Sequence, residues 1–412
     1  MAKYLKEFSA TAEYESYINN SPTLPNVSLT LDDNIVYYNK KPDYSKEYLT
    51  FEALQNGTFT LTVPANVNST LMTSVSYSTD NGETWTDTVI DNTAQTITTP
   101  TINAGDKVLW KGIGIRMAYI DSNNNYSKFT STGNFNVSGN IMSLLYGDNF
   151  AKQTSFASGS QFNFCDLFNN CTKLISAGNL ILPATTLACY SSMFSGCSSL
   201  QTAPVLPATT LAERCYSNMF YNCTSLTTAP ELPATTLANQ CYGQMFRNCR
   251  SLTTAPELPA TTLANQCYNG MFQNCTGLKS VHSNYLPVTT LAESCYSSMF
   301  SGCTSLTEAP VLPATTLANT CYSSMFTNCT SLTTAPELPA TTLSVRCYWG
   351  MFQGCTNLNS IKMLATSISA FNCLKDWVQN VAATGTFTKA ASMTTLPTGA
   401  SGIPSGWTVV DA

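Results

Sequence analysis

His282 is the only histidine in the chain, and it sits in the inserted segment GLKSVHSNYLP, so the abundant serines elsewhere have no histidine beside them in sequence to act as base. Triad chemistry needs a nucleophile, a base and a group that orients the base. The abundant serines lie in no G-x-S-x-G elbow, and neither a Gly-rich phosphate loop nor H-E-x-x-H occurs. Carboxylates recur at Glu231 and Glu257, with Glu337 later in the same series. A pair of carboxyls can hydrolyse a glycosidic bond when their separation is right, but strict recurrence reads as a solvated row. Of the 17 cysteines, 14 fall in seven pairs eight residues apart, such as Cys189/Cys197, Cys215/Cys223 and Cys241/Cys249. Zinc knuckles space their ligands by two to four residues and commonly add His. Buried, reduced thiols are therefore the expectation, since Cys is among the most buried residue types. Disulfides between neighbouring repeats are the rival reading. No catalytic residue, metal or cofactor is expected.

The same spacing sets the architecture. The Met of each Met-Phe pair falls at Met193, Met219, Met245, Met271, Met299, Met325 and Met351, in steps of 26 except for one of 28. A fixed period of this size marks a repeat architecture. Phe168 and Cys171 begin the series, while Cys373, Trp377 and Val378 end it in degenerate form, as capping repeats do. Within one unit, SLTTA at 225–229 reads as a strand and Pro230 ends its pairing. Thr235 or Thr236 can then cap a short helix, 3-10 in part, on which Leu237, Cys241 and Met245 share a face with Tyr242 and Phe246 beside it. The residue before the second Cys is always Asn or Gly: Asn170, Gly196, Asn222, Asn248, Asn274, Gly302, Asn328, Gly354. These types best tolerate positive φ, so a left-handed residue closing the helix is expected there. One unit cannot bury its apolar groups alone, so neighbours must stack.

The pattern L-x-x-A-P-x-L-P-A-T-T-L-A-x-x-C-Y-x-x-M-F-x-x-C-x-S-L over about 160–380 resembles the leucine-rich repeats of the BspA type, found in surface proteins of gut Bacteroidales and spirochaetes and in gut phages. That resemblance implies adhesion or ligand binding, not catalysis.

The fold class expected is α+β, with four parts. Residues 1–45 form an N-terminal helix and hairpin, a docking segment. Residues 46–140 form a β-sandwich, from the period-two runs TFTLTV, SVSYS, KVLWKG and GNFNVSGNI. Residues 141–380 form a leucine-rich-repeat solenoid of about eight repeats. Residues 381–412 form a C-terminal cap in which Ile403, Trp407 and Val409 cover the last repeat. Within the sandwich, Ser78, Asp80, Gly82, Thr84 and Trp85 fit the Asp-box pattern S-x-D-x-G-x-T-W, a structural hairpin. The opening MAKYLKEFSATAEYESYIN…LPNVSLTLDDNIVYYN is similar to the N-terminal segment of structural proteins from Bacteroides-infecting gut phages, including crAss-like phages. It implies that residues 1–45 join other virion structural proteins.

A formal charge of −5, with charged residues at 10%, leaves no basic patch for nucleic acid. No apolar run is long enough to span a membrane, and the N-terminus has no apolar core of a secretory signal. The expectation is a non-enzymatic structural and binding protein: a phage fibre or virion decoration protein made in the bacterial cytoplasm. A bacterial BspA-like cell-surface adhesin is the alternative, and homo-oligomerisation stays open. The positions that stacking leaves free are the candidate ligand-binding residues. Tyr221, Arg247, Arg250, Arg346 and Trp349 stand out, because aromatics and Arg dominate binding hot spots. The ligand would be a surface protein or a glycan, and the Thr row Thr202, Thr228, Thr254 and Thr334 is a second candidate surface.

Overall fold

The computed structural model describes residues 46–64, 72–91, 93–114, 126–157, 160–183 and 185–412, so the helix and hairpin expected over 1–45 lie outside the described residues. Strands dominate the regular structure and helices are few. Among the described residues eight strands precede the repeats: β1 (Leu49–Ala53), β2 (Phe59–Val63), β3 (Met72–Ser78), β4 (Thr86–Val89), β5 (Gln95–Thr98), β6 (Lys107–Gly114), β7 (Lys128–Ser131) and β8 (Phe135–Asn140). β2 reads FTLTV, with Phe59, Leu61 and Val63 buried and the two Thr between them partly open, the alternation a pleated strand requires. Two sheets result. One has the order β5-β2-β7; the other runs β4-β3-β6-β1-β8 and ends on β9 (Leu174–Ile181). β8 and β9 pair in parallel, which carries this sheet directly into the first repeat.

Rings from the two sheets meet in one core. Phe51 of β1 lies 5.3 Å from Phe59 and 4.9 Å from Phe129, and Trp110 of β6 is 4.9 Å from Phe129. A single turn of helix, α1 (Ser143–Tyr146), and a 3-10 turn (Gly147–Lys152) close one edge. The buried Ser143 hydroxyl donates to the Trp110 carbonyl and accepts from the Leu49 N–H, so it satisfies both lone backbone groups it meets.

The repeats differ from expectation in their backbone. The short helix expected from Leu237 to Phe246 is absent, and a ladder of overlapping turns stands in its place. The N–H groups of Cys241, Gly243, Met245, Arg247 and Cys249 each donate three residues back, at 3.0–3.3 Å. The N–H groups between them, on Gln240, Tyr242, Gln244, Phe246 and Asn248, donate instead to Asn265, Cys267, Asn269, Met271 and Gln273 of the next repeat, at 2.7–3.1 Å. A helix would spend every one of these donors within its own coil. Here half of them join one repeat to the next, so local and long-range bonding alternate residue by residue.

That alternation demands a left-handed residue at every fourth position. Gln240, Gln244 and Asn248 have φ of 56°, 54° and 64°. The Asn or Gly before the second Cys is left-handed throughout, as the sequence indicates, with φ 58° at Asn170, 74° at Gly196 and 60° at Asn328. It ends a turn rather than a helix. The four-residue step of Leu237, Cys241 and Met245 belongs equally to a helix face and to this ladder, which is why the pattern alone suggested a helix.

Stacking is literal. Phe246 lies between Phe220 at 5.6 Å and Phe272 at 5.8 Å, with ring planes 6° and 4° apart. Tyr242 stacks in the same way between Tyr216 and Tyr268. The second Cys of each pair donates its thiol to the Phe carbonyl of the preceding repeat, as Cys249 does to Phe220 at 3.0 Å. All 17 cysteines are buried and unpaired, and burial pushes the Cys249 thiol up to about 12.

On the opposite side the expected strands shrink to single bridges, such as Thr228 with Thr254 and Thr334 with Ser360. Pro230, Pro233, Pro256 and Pro259 have no N–H to extend them. Regular strands return only at the C-terminal end, where β10 (Ser360–Met363), β11 (Thr386–Lys389) and β12 (Thr408–Asp411) run parallel. Trp407 is buried there and donates to the Ala382 carbonyl at 2.7 Å, and Ile403 is half-buried. Val409, expected to cover this end, is 42% exposed, because every residue of β12 faces solvent on the outermost strand.

Candidate functional site

In the turn ladder the residue after each left-handed position, Cys or Met, is buried, and the variable residues remain on the outer face. Side chains there hydrogen-bond along the direction of stacking. Arg214 Nε donates to Gln240 Oε1 and Gln240 Nε2 to Gln266 Oε1, both at 2.7 Å. Asn248 Nδ2 donates to Asn222 Oδ1 at 2.7 Å, and Asn274 to Asn248 at 2.9 Å. Asn222, Asn248 and Asn274 thus form a chain of side-chain bonds across three repeats.

The structure sorts the five ligand-binding candidates into two places and a remainder. The Arg247 guanidinium lies 5.7 Å from the Tyr221 ring centroid and is steadied by a 3.0 Å hydrogen bond to Gln244 Oε1. Its Nε is buried and finds no acceptor. Arg346 lies 5.1 Å from the Trp349 ring, the range of a cation–π contact. Arg250 is exposed and joins neither pair. Two residues that sequence reasoning passed over complete the second place. Phe371 lies 5.6 Å from Arg346, and Lys375 Nζ lies 5.5 Å from the Trp349 ring. Their signal was the period itself, since they stand 26 residues after Val345 and Trp349.

On the Thr and Pro side, Pro230, Leu232, Pro233 and Pro256 line an open cleft of about 280 Å³ with Glu231 and Glu257 among its residues. Glu257 is 79% exposed at its side chain and pairs with His282 Nε2 at 3.1 Å. The Tyr285 hydroxyl donates to the Pro256 carbonyl at 2.8 Å, which anchors the inserted loop to the repeat before it. Glu337 likewise meets Lys362 at 3.1 Å. Thr202, Thr228, Thr254 and Thr334 are exposed on this side.

The Asp-box residues form the β3–β4 hairpin. Ser78 Oγ donates to Asp80 Oδ1 at 2.7 Å and accepts from the Gly82 N–H at 2.8 Å. The Thr84 hydroxyl and N–H both donate to the Asp80 carboxylate, and with Ser78 they hold it down at about 2. Trp85 packs against Tyr48, with Lys111 Nζ 4.1 Å from its ring. The side chains of Ser78, Asp80 and Thr84 thus bond within the hairpin itself. Among the described residues no three His, Cys, Asp or Glu gather as a metal site would need, and no helix is long and apolar enough to cross a membrane.

Comparison with protein-family models finds the BspA type leucine rich repeat region in six copies, over residues 164–279, 213–308 and 265–390. These overlapping matches run from 164 to 390, 227 of 412 residues. No curated protein and no solved structure matches the chain. BspA-like repeats suggest a surface or binding protein, in keeping with an outer face whose residues vary while the lining repeats. The spacing of Cys and Met-Phe, the stacked rings and the family match agree, and the chain belongs to the BspA-type leucine-rich-repeat family.

Proposed function

We propose that this chain is a non-enzymatic structural and binding protein of a phage virion, a fibre or decoration protein. In this reading the repeats wind as a solenoid of about eight coils, the two sheets before them form a β-sandwich, and residues 1–45 attach the whole to other virion proteins. One observation carries the binding part. The positions that recur, the Cys, Met and Phe of each repeat, are buried, whereas Tyr221, Arg247, Arg346 and Trp349 stand on the outer face where stacking does not prescribe their identity. The free thiols support synthesis in a reducing cytoplasm, where disulfides are rare. A bacterial cell-surface adhesin is the second reading, favoured by the family match, and it uses the same outer face.

Mass spectrometry of gradient-purified virions and of washed cell envelopes separates the two. Recovery with virions at a fixed ratio to the capsid protein is the expected result. Recovery only in cell envelopes overturns the virion reading in favour of the adhesin. Turnover of sialylated or plain glycans by the purified chain would overturn the non-enzymatic reading.

A further inference from the structure

Two rows of the turn ladder, one exposed and one buried at Ser217, Ser297 and Ser323, change character at one end. After Leu187 in the first repeat, the row Glu213, Asn239, Asn265, Glu293, Asn319 is polar over five successive repeats, then continues as Val345 and Phe371. A parallel row carries small residues. Ser217, Ser297 and Ser323 each donate to a carbonyl of the next repeat, at 3.2–3.3 Å, and the row then continues as Trp349 and Lys375. Five earlier repeats stack without a large apolar group at these places, so the stack does not need Val345, Trp349 or Phe371. Phe371 is 63% exposed, and with the exposed Val345 and the half-buried Trp349 around Arg346 it gathers three apolar groups at one end of the face, a grouping that marks a binding surface where a single exposed ring would not.

Arg346 and Lys375 lie around the Trp349 ring, and neither reaches a carboxylate at ion-pair distance among the described residues. Asp376, the next residue after Lys375, pairs with neither. The rings therefore orient two cations without neutralising them, which leaves a planar guanidinium fork free for a bidentate anion beside an exposed apolar ring.

The geometry points to a site for a carboxylated sugar, a sialic or uronic acid of an oligosaccharide, seated on Phe371 with its carboxylate on Arg346 and Lys375. This deepens the reading of the chain as a binding protein and rests on it. A pyranose carries a face of C–H groups and, in these acids, a carboxylate on the same ring, so one residue supplies both complements. A protein partner would call for roughly 800 Å² on this side with several aromatic anchors at its centre. Beyond this corner the exposed Asn319 and the half-buried Thr320, one repeat before Val345 and Arg346, are polar groups that suit the neighbouring hydroxyls of a glycan chain.

The test is calorimetry and saturation-transfer NMR on the full chain with sialyllactose, trigalacturonate, lactose and an Asp/Glu-rich peptide. Binding to sialyllactose, to trigalacturonate or to both is expected, and the one preferred identifies the source of the carboxylate. Lactose should bind weaker by on the order of tenfold or more. Arg346→Lys, which keeps the charge and removes the fork, and Phe371→Ser should each weaken binding on the order of tenfold. Both should leave the unfolding midpoint unchanged, and Asn239→Ala should leave binding unchanged. No binding to either acidic sugar, equal binding to lactose, preference for the peptide, or wild-type affinity in both variants would each overturn the assignment. Virion and envelope fractionation reads a separate property, so failure here leaves the cellular placement untouched, and the reverse holds.

Discussion

Phe51 and Phe246 are both fully buried, yet they are held in opposite ways. In the sheets, Phe51 meets Phe59, Trp110, Phe129, Phe135 and Phe168 at 4.9–5.8 Å with ring planes 45–82° apart. Its strand pairs with residues distant in the chain, Val108 on one side and Val137 on the other. In the repeats, Phe246 meets two copies of itself in near-parallel planes. The bonds between repeats reach 25 residues ahead, as from Gln240 to Asn265, or 27 across the insertion, as from Gln266 to Glu293. One region packs by interlocking unlike shapes; the other packs by translating one shape. Phe168 joins them, 5.8 Å from Phe51 and 5.5 Å from Phe194. Interlocked cores concentrate dependence on hub residues, whereas translated cores spread it over nearest neighbours.

The largest effects break this contrast at its centres. Phe51→Ala and Phe246→Ala should each cost ~3–5 kcal/mol in denaturant unfolding. Amide exchange should differ: loss of Phe51 exposes both sheets, whereas loss of Phe246 speeds exchange mainly in the adjoining repeats. A cost under about 1 kcal/mol at Phe246 would contradict its burial.

Smaller effects come from added methyls. A Cβ on Gly112 of β6 would lie 2.6 Å from the Leu144 carbonyl oxygen and 2.9 Å from that of Ser74, both backbone. On Gly302 it would lie 2.1 Å from Asn274 Oδ1, the movable end of a side chain, at a backbone φ of 73°. Gly112→Ala should cost ~1–3 kcal/mol through overpacking and Gly302→Ala ~1–2 kcal/mol, largely from the left-handed strain. If Gly302→Ala proved the costlier in equilibrium unfolding, the Asn274 side chain would be as rigid as backbone.

Acid sharpens the comparison least but most selectively. The carboxyls held below their ordinary range, Asp80, Asp91 and Asp148, all precede the repeats, whereas burial raises Asp166 at the first repeat. A lowered folded-state value means stability that is present above about 3.8 and is lost as pH falls through about 2 at Asp80. Acidification from pH 5 toward pH 2 should therefore loosen the Asp-box hairpin before the stacked turns, as read by amide exchange. The difference in thermal midpoint between wild type and Asp80→Asn should shrink toward zero over the same window. A constant difference would mean that hydrogen bonding to the charged Asp80 contributes nothing.

Much of the repeat region was legible because its signal is redundant. Cys249, Met245 and Phe246 recur with their neighbours, and only buried, stacked positions require that identity. Asn248 and its Asn or Gly equivalents marked a left-handed residue by type alone. Gln240 and Gln244 carried no such mark, since other repeats place Arg346, Thr320 or Ser324 in the same conformation. Bonds to the next repeat hold those residues left-handed against their own preference. The runs that became β2, β3, β6 and β8 showed in the alternation, but β5 and β7 were passed over, being only four residues long, and β1 because four of its five residues are buried and it does not alternate. At the candidate site the pairs Tyr221/Arg247 and Arg346/Trp349 came from variable positions, while Phe371 and Lys375 were missed because the motif degrades after Cys355.

The amino-acid sequence alone determined the period and which side chains turn inward, because identical apolar groups at a constant interval can be buried only against one another. The tertiary structure alone decided the backbone path between them. A four-residue step suits a helix and a ladder of turns equally, and the choice falls to the ladder because alternate N–H groups find their acceptors in the next repeat.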